Sequence, residues 1–394
     1  MHQKTNVKWQ KVLLHEVAEI ERNVVEPSAI ISGTKFVGLE NIETGGEFAN
    51  VRHVLNGELA SSKFAFTDKH VLYGKLRPYL AKIARPTFSG ICSTDILPIL
   101  PGANLDRDYL SQFLRQPSMI DLANSRATGA NLPRLSPKVL AEFSIPLPPI
   151  AEQKRIAAIL DKAEELRSLR RKALAELDAI VQSIFLEMFG DPLKNPNNFP
   201  IRKLRELCSH VIDCPHSTPI YASEITPYAC VRSSDIQNSE LTFSDTKYIK
   251  LEEYKKRIER GVPQQGDVVY CREGARFGNA ALITDDTPPI CLGQRMMLFR
   301  PEVRKARGEF IWGYLSSPIA YHQALREVGG SASPHINIRD ITAFQIPVPP
   351  LDRQCEFAQR ISAIKKLKHI QRESLAQLDA LFASLQHRAF QGEL

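Results

Sequence analysis

Two long stretches of the chain place apolar residues at helical spacing among charged ones. In residues 151–188 the apolar positions are Ile156, Ile159, Leu160, Ala163, Leu166, Leu174, Leu177, Ile180, Val181, Ile184 and Met188. In residues 352–390 they are Phe357, Ile361, Ile364, Leu367, Leu375, Leu378, Leu381 and Leu385. This near-heptad spacing predicts two long helices, the first running roughly 55 Å at about 1.5 Å per residue. Each needs a partner for its apolar stripe, and the other helix, packed antiparallel, is the economical one.

The regions before these helices, residues 1–145 and 196–345, carry shorter apolar runs bounded by Gly, Pro and Asp. Runs of this kind predict strands, here at residues 69–73, 91–100, 267–270 and 296–299. Short helices are predicted at residues 108–115 and 309–315. The expected fold class is therefore α+β, or mixed α/β, with strands and short helices in each region.

A Pro-rich sequence occurs twice, as IPLPPIAEQ and IPVPPLDRQ, and the two copies lie 201 positions apart. The same offset relates Pro133 to Pro334, Phe143 to Phe344 and Phe189 to Phe390. Because proline has a fixed φ and no backbone N–H, such a run ends one structural unit and starts a helix. A tandem repeat with pseudo-two-fold symmetry follows. Its globular parts and helices are expected at residues 1–149, 150–190, 191–350 and 351–394. An alternative is two independent domains with unrelated tail helices.

The composition fits a globular chain of two or more domains, with 394 residues, 43% hydrophobic and 24% charged. The N-terminal segment lacks an apolar h-region, so no signal peptide is expected. The sequence has no run of about eighteen apolar residues, so no membrane span is expected. Seven cysteines without a CxxC pair indicate reduced thiols in a cytoplasm. A formal net charge of +7 allows a polyanionic partner.

Common catalytic motifs are missing from the sequence, which has no GxxxxGK[ST] loop, HExxH helix or GxSxG turn. An E-x-K sequence at Glu253–Lys255 lies in LEEYKKRIER, which predicts a short surface helix rather than a nuclease strand pair. The densest His/Cys cluster comprises Cys208, His210, Cys214 and His216. Its spacing is unusual for zinc, and the Asp, Pro and Ser residues around it favour a polar loop between strands. The sequence therefore predicts a binding scaffold.

Several phrases together resemble one known family. They are KLRPYLAK at residues 75–82, DCPHSTP at 213–219, KYIKLEEYKKR at 247–257 and GDVVYCREGARFGNAALI at 266–283, with the two Pro-rich corners. Over essentially the whole chain, their order resembles the specificity subunits of type I restriction–modification systems. The second corner departs from the first, with Arg353 for Glu152 and Cys355 for Lys154.

This resemblance implies two target-recognition domains, each recognising half of a bipartite site on double-stranded DNA, joined by two antiparallel helices. It also implies two methyltransferase subunits as partners, and through them restriction motor-nuclease subunits. The methyl donor, ATP and Mg²⁺ would belong to those partners, and this chain would be non-catalytic, with no cofactor or metal. The helix length would set the spacing between the two half-sites. Half-sites that lie one turn of the duplex apart are separated by roughly 34 Å.

Candidate DNA-contacting residues lie in the loops of both globular regions. Phosphate contacts supply affinity and base-edge contacts supply sequence choice, so basic, polar and aromatic loop residues are favoured. The candidates are Lys75, Arg77, Tyr79, Lys82 and Arg134 in the first region, and His216, Ser217, Thr218, Arg272, Arg276, Arg295 and His335 in the second. Each could instead be a solvated or salt-bridged side chain. Because the two sets differ, the expected target is asymmetric.

Apolar helix residues are the candidates for partner contact, since two helices leave edges that partner helices can complete as a bundle. The predicted partner-binding residues are Ile156, Leu160, Phe185, Phe189, Phe357, Ile361 and Phe390. A mutual core between the two helices is the alternative for the same residues. Two other functions remain open from the sequence, a nuclease or methyltransferase acting alone and a repeat scaffold that binds proteins rather than DNA.

Overall fold

The structure, a computed structural model, describes residues 9–328 and 334–394. The chain forms two compact units. Unit 1 comprises residues 1–169 and 374–394, and unit 2 comprises residues 170–373. Each long helix is thus shared, its N-terminal half in one unit and its C-terminal half in the other. No helix among the described residues is long and apolar enough to cross a membrane.

The described part of unit 1 contains three sheets and four short α-helices. Its strands are β1 Lys11–Leu13, β2 Ala18–Ile20, β3 Val24–Val25, β4 Lys35–Val37, β5 Arg52–His53, β6 Lys63–Phe66, β7 Val71–Gly74, β8 Ile83–Ala84, β9 Gly90–Cys92, β10 Ile96–Pro101 and β11 Ser144–Pro146. Its short helices are α1 Leu14–Val17, α2 Arg107–Leu114, α3 Pro117–Ser125 and α4 Pro137–Ala141. The sheets have the orders β1-β11, β2-β10-β7-β8 and β3-β6-β9-β4-β5. The long helix α5 Ile150–Phe189 begins at the first Pro-rich corner.

Unit 2 repeats this plan with different loops. Its strands are β12 Ile201–Lys203, β13 Cys208–Asp213, β14 Tyr228–Val231, β15 Ile236–Gln237, β16 Glu240–Leu241, β17 Lys247–Ile249, β18 Val268–Cys271, β19 Ala280–Leu282, β20 Ile290–Leu292, β21 Met296–Pro301 and β22 Gln345–Pro347. Its helices are α6 Leu251–Arg257, α7 Gly308–Leu315, α8 Pro318–Arg326, α9 Ile338–Thr342 and α10 Leu351–Gln391. The sheets have the orders β12-β22, β13-β21-β18-β19, β17-β14-β20 and β15-β16. The predicted α+β class and both long helices are confirmed.

The Pro-rich corners hold a buried glutamine at equivalent places. Gln153 donates to the carbonyl of Pro148 at 2.8 Å and accepts from the backbone N–H of Asp106 at 2.8 Å. Gln354 donates to Pro349 at 2.8 Å and accepts from Arg307 at 2.9 Å. Proline supplies no N–H here, so the side-chain amide satisfies backbone groups that no helix or sheet satisfies. This explains why each corner ends in glutamine.

The two long helices run antiparallel within each unit. In unit 1 Arg167 of α5 donates to Asp379 of α10 at 2.6 Å, and Arg155 donates to the carbonyl of Leu394. In unit 2 Lys368 of α10 contacts Asp178 of α5 and Glu240 of the β15–β16 hairpin. Lys368 is buried, so this stretch of α10 packs through an ionic network rather than apolar contacts.

The structure shows where the predicted partner-binding residues lie. All seven are buried in the hydrophobic cores of their own units, Ile156, Leu160 and Phe390 in unit 1 and Phe185, Phe189, Phe357 and Ile361 in unit 2. Phe390 packs its ring against Tyr109 and Phe113 of α2, and Phe185 and Phe189 pack against Phe310 of α7. These side chains therefore attach the helices to the globular parts, where burying each aromatic ring contributes about 1.5–3 kcal/mol.

Candidate nucleic-acid interface

Both units build their loop face on the same three backbone hydrogen bonds, here called the shared backbone frame. In unit 1 these bonds run from Lys75 N to Asp95 O, from Leu135 N to Lys75 O and from Arg77 N to Pro133 O, at 2.9, 2.9 and 2.7 Å. In unit 2 they run from Arg272 N to Arg295 O, from Ile336 N to Arg272 O and from Gly274 N to Pro334 O, at 3.0, 3.1 and 3.0 Å. An isolated bridge accompanies each set, Leu76 with Arg134 and Glu273 with His335. The sequence repeat is therefore also a repeat of loop geometry.

The frame brings together side chains that are far apart in sequence. In unit 1 Arg134 is exposed and donates to Asp95 at 3.2 Å, while Arg77 is exposed on the neighbouring turn. Arg77 has φ 52° and ψ 65°, a left-handed backbone that costs a non-glycine residue about 1 kcal/mol. Unit 2 has Gly274 at this position, with φ 90°. Unit 1 therefore tolerates strain in order to place an arginine here.

The remaining unit 1 candidates, Tyr79, Lys75 and Lys82, differ in how far their side chains are exposed. Tyr79 is half exposed on the short 3-10 helix Pro78–Leu80. Lys75 is partly buried at the end of β7, next to the shared backbone frame. Lys82 is also partly buried, and its ammonium donates to the carbonyl of Leu39 at 2.6 Å. Lys82 thus serves the local structure, whereas Arg77, Tyr79 and Arg134 present free surface.

In unit 2 the equivalent face carries a different pattern of charge. Arg295 is exposed and lies 3.5 Å from the carboxylate of Glu273, which also lies 3.6 Å from His335. Arg276 is exposed on the turn between β18 and β19. In unit 1 one arginine, Arg134, contacts one aspartate. In unit 2 an arginine and a histidine both lie beside one glutamate. The two faces therefore present different donors and acceptors on one backbone geometry.

Arg272, a predicted DNA contact, is buried in the structure. Its side chain is only 8% exposed, and its Nε lies 3.5 Å from Asp213. A guanidinium that is buried beside a carboxylate offers little surface to a ligand. In unit 2 Arg276, Arg295 and His335 are the candidates that remain accessible on the shared backbone frame.

His216, Ser217 and Thr218 are exposed on the loop after β13. Residues 213–219, here called the unit 2 loop, begin at Asp213, whose carboxylate lies 3.0 Å from His216 and also faces Arg272. Gln294 donates to Thr218 Oγ1 at 3.3 Å, so the loop meets the residue before Arg295. The predicted polar loop is confirmed, although residues 208–213 of the Cys/His cluster form strand β13. Cys208 and Cys214 lie in different hydrophobic clusters, and burial raises the pKa of the Cys214 thiol.

Sequence reasoning missed the acceptors and the supporting residues of both faces. Asp95 and Glu273 neutralise the exposed cations, and Gln294, Arg257 and Arg260 contact the unit 2 loop. Asp95 directly precedes strand β10, and Gln294-Arg295 directly precedes strand β21. Because both positions come just before an apolar strand in the two halves of the repeat, they could have been identified from the sequence as equivalent loop residues.

The geometry defines a duplicated α+β chain with two loop faces of different chemistry and a pair of long helices. Residues 6–179 and 202–380 match the family model described as the type I restriction modification DNA specificity domain. The chain belongs to this family.

Curated relatives agree with the family. The type I restriction enzyme EcoDI specificity subunit of Escherichia coli is 27% identical over 190 residues, which are 47% of this chain and 42% of that protein. The MjaVIII specificity subunit of Methanocaldococcus jannaschii is 22% identical over 268 residues, 65% of this chain and 63% of that protein. The matched part therefore spans less than two thirds of either relative.

Two solved structures share the fold over nearly the whole chain. One is a chain from a structure of complex assembly and conformational transition in the type I R-M system, with a TM-score of 0.59, 21% identity and 98% of both chains covered. The other is the type I restriction-modification S subunit from M. genitalium, with a TM-score of 0.58, 13% identity and 99% and 98% covered. At these identities the similarity concerns the fold.

Proposed function

We propose that this chain is the DNA-recognition subunit of a type I restriction–modification complex and has no catalytic activity of its own. Each unit recognises one half of a bipartite, asymmetric site on double-stranded DNA. The chain directs methyltransferase subunits, and through them restriction motor-nuclease subunits, to that site in the cytoplasm. The methyl donor, ATP and Mg²⁺ are bound by the partner subunits.

The observation that carries this proposal is the shared backbone frame with exchanged side chains. Three equivalent hydrogen bonds hold equivalent loops in both units, yet Arg134 of one face corresponds to His335 of the other. Arginine donates two hydrogen bonds to guanine in the major groove, and other side chains favour other base edges. A constant backbone with variable side chains suits recognition of two different half-sites by one fold.

Exposed cations support binding to a polyanion. Arg77 and Arg134 in unit 1, and Arg276 and Arg295 in unit 2, lie on the loop faces, and the chain carries a net charge of +7. Neutralising several phosphates releases counterions, so we expect DNA affinity to fall steeply as salt rises. A carboxylate lies beside two of these arginines, Asp95 beside Arg134 and Glu273 beside Arg295. It weakens the attraction of these two arginines for phosphate and so favours contacts with base edges.

For the partner surface we propose the apolar residues that the helices leave exposed. Leu166, Leu169 and Leu381 are exposed in unit 1, and Ile180, Leu367 and Ile370 are exposed in unit 2. Exposed leucine and isoleucine on a long helix mark a surface that another helix can complete as a bundle. These residues take the role that the sequence had assigned to the buried ones.

The test is methylation-site mapping by long-read sequencing in cells that express this chain with a compatible methyltransferase subunit. The proposal predicts one modified motif in two parts with a fixed gap, absent when this chain is omitted. A methyltransferase shown to be competent and to assemble with the chain, but leaving no new motif, would contradict DNA recognition. That result would favour a scaffold that binds proteins alone.

A further inference from the structure

The unit 2 loop is held by side chains along residues 213–217 of its backbone. Its consecutive carbonyl groups accept hydrogen bonds from arginine and glutamine side chains of other segments. Arg260 donates to Asp213 and Cys214 at 3.5 and 3.2 Å, Arg257 donates to Pro215 and Ser217 at 3.3 and 3.2 Å, and Gln294 donates to His216 at 3.1 Å. A loop with two prolines offers few donors for a strand ladder, so these side chains define its path.

Arg257 is the central residue of this arrangement. Its side chain is 1% exposed, and its remaining donors reach the carbonyl of Leu292 at 3.1 Å and the carboxylate of Glu253 at 3.4 Å. A buried guanidinium is unfavourable unless its donors are satisfied, and here backbone carbonyls satisfy most of them. Arg257 therefore cannot contact DNA itself, and its hydrogen bonds are directed at the loop.

The helix that carries Arg257 is firmly attached to its sheet. Tyr254 of α6 stacks on Tyr228 of β14 with ring centroids 4.5 Å apart, and it shares a buried cluster with Cys230, Ile249 and Cys291. Strand β20 ends at Leu292, whose carbonyl accepts from Arg257. The contacts thus run without a gap from the sheet through α6 and Arg257 to the loop.

We propose that Arg257 is a positioning residue that fixes the backbone of the unit 2 loop and thereby sets base selectivity in one half-site. His216, Ser217 and Thr218 project from a loop whose carbonyls Arg257 and Gln294 hold, so their side chains are oriented before DNA arrives. Preorganisation of this kind raises discrimination because a rigid donor set cannot adapt to a wrong base. This inference rests on the proposed function.

The experiment measures methylation rates by the complex of this chain with its methyltransferase subunit. The substrates are duplexes that carry the mapped site with single base changes in one half-site at a time. The half-site that responds to His216→Ala belongs to unit 2. In Arg257→Lys one ammonium replaces the guanidinium and cannot reach the carbonyls of Pro215, Ser217 and Leu292 together. We expect discrimination against wrong bases in that half-site to fall about tenfold, and discrimination in the other half-site to stay unchanged.

Two further variants keep the test independent of folding. Glu253→Gln preserves shape and removes only the carboxylate that orients Arg257, so we expect a fall of about threefold in the same half-site. Lys256→Ala changes the exposed neighbour on α6 and should leave both half-sites unchanged. If Arg257→Lys does not assemble with the methyltransferase, Glu253→Gln carries the test.

Selective relaxation of the unit 2 half-site by Arg257→Lys or Glu253→Gln supports the proposal. Unchanged discrimination in both variants overturns it, and so does an equal loss of rate on every duplex with the motif preserved, since that result would indicate a role in stability alone. Absence of any site preference in the unmodified complex would overturn the proposed function instead, which makes the two failures distinguishable.

Discussion

The two units differ most in the segment that follows the first strand of their four-stranded sheets. In unit 1 strand β2 leads into β3, which pairs with β6 and so belongs to a second sheet. In unit 2 strand β13 leads into a loop held by the side chains of Arg257, Arg260 and Gln294. A strand ladder fixes a backbone through its own peptide groups, whereas side-chain donors permit an irregular path. One fold therefore supports two kinds of recognition surface.

The sheets β3-β6-β9-β4-β5 of unit 1 and β17-β14-β20 of unit 2 show the same relation between a constant part and a variable part. A parallel pair occurs in both, β4 with β9 in unit 1 and β14 with β20 in unit 2. Helix α6 packs on this sheet in unit 2, while in unit 1 Ile30 and Val54 of connecting segments pack on Phe36. The strand pairs that set the loop positions are retained, and the elements on the sheet face vary.

The largest expected effect tests the part that the two units share. Gln153→Ala and Gln354→Ala each remove a fully buried amide and leave corner backbone groups unsatisfied, at about 1–3 kcal/mol per group. We expect each variant to lower the free energy of unfolding by about 3 kcal/mol in urea titrations of the full chain. The neighbouring variant Lys154→Ala, at an exposed position, should change it by less than about 0.5 kcal/mol. A loss below about 1 kcal/mol in both glutamine variants would show that the corners are not held this way.

An effect of similar size tests where the units differ. In unit 2 Lys368 is 3% exposed between Asp178 and Glu240, while the residue 201 positions earlier is Arg167, which pairs with Asp379. Lys368→Met leaves two carboxylates without their buried cation, so we expect a loss of about 2–4 kcal/mol. Unfolding titrations against Lys366→Met would measure it, and equal losses in the two variants would contradict a buried network.

The same network gives a pH dependence. Burial alone would raise the pKa of Glu240, but the hydrogen bonds and charges of Lys368 and Arg372 outweigh it, so the pKa lies below its ordinary value of 4.5. A depressed carboxyl pKa stabilises the fold fully above the unfolded pKa, and this contribution is lost as the pH falls through the folded value. Glu240→Gln should therefore destabilise the chain at pH 7 and weaken the decline of stability below about pH 4.5. An identical decline in both proteins would contradict the assignment.

The smallest effect separates binding from stability. Arg77→Gly gives unit 1 the residue that unit 2 has at Gly274, which removes the left-handed strain of about 1 kcal/mol but adds backbone freedom in the unfolded chain. We expect unfolding free energy to stay within about 0.5 kcal/mol of the original. DNA affinity should fall several-fold, with a salt dependence lower by about one phosphate contact. Unchanged affinity would remove Arg77 from the interface.

The elements that follow local signals were predictable. The spacing of Ile156, Leu160 and the later apolar residues predicted α5, and the paired corners predicted the repeat, because both are properties of short sequence windows. The predicted strand at residues 91–100 is two strands, β9 and β10, because Ser93–Asp95 interrupt it. Burial of Phe390 and Arg272 was not predictable, because it depends on contacts with residues far away in sequence. The partners of the loop cations escaped prediction for the same reason.

The central claim is that one backbone frame recognises two different half-sites through its exchanged side chains. Its most direct test compares Arg134→Gln in unit 1 with Arg295→Gln in unit 2. Methylation rates would be measured on duplexes with base changes confined to either half-site. We predict that each variant loses discrimination in one half-site only, and that the two variants affect opposite halves. Relaxation of the same half-site by both variants, or of neither, would contradict the claim.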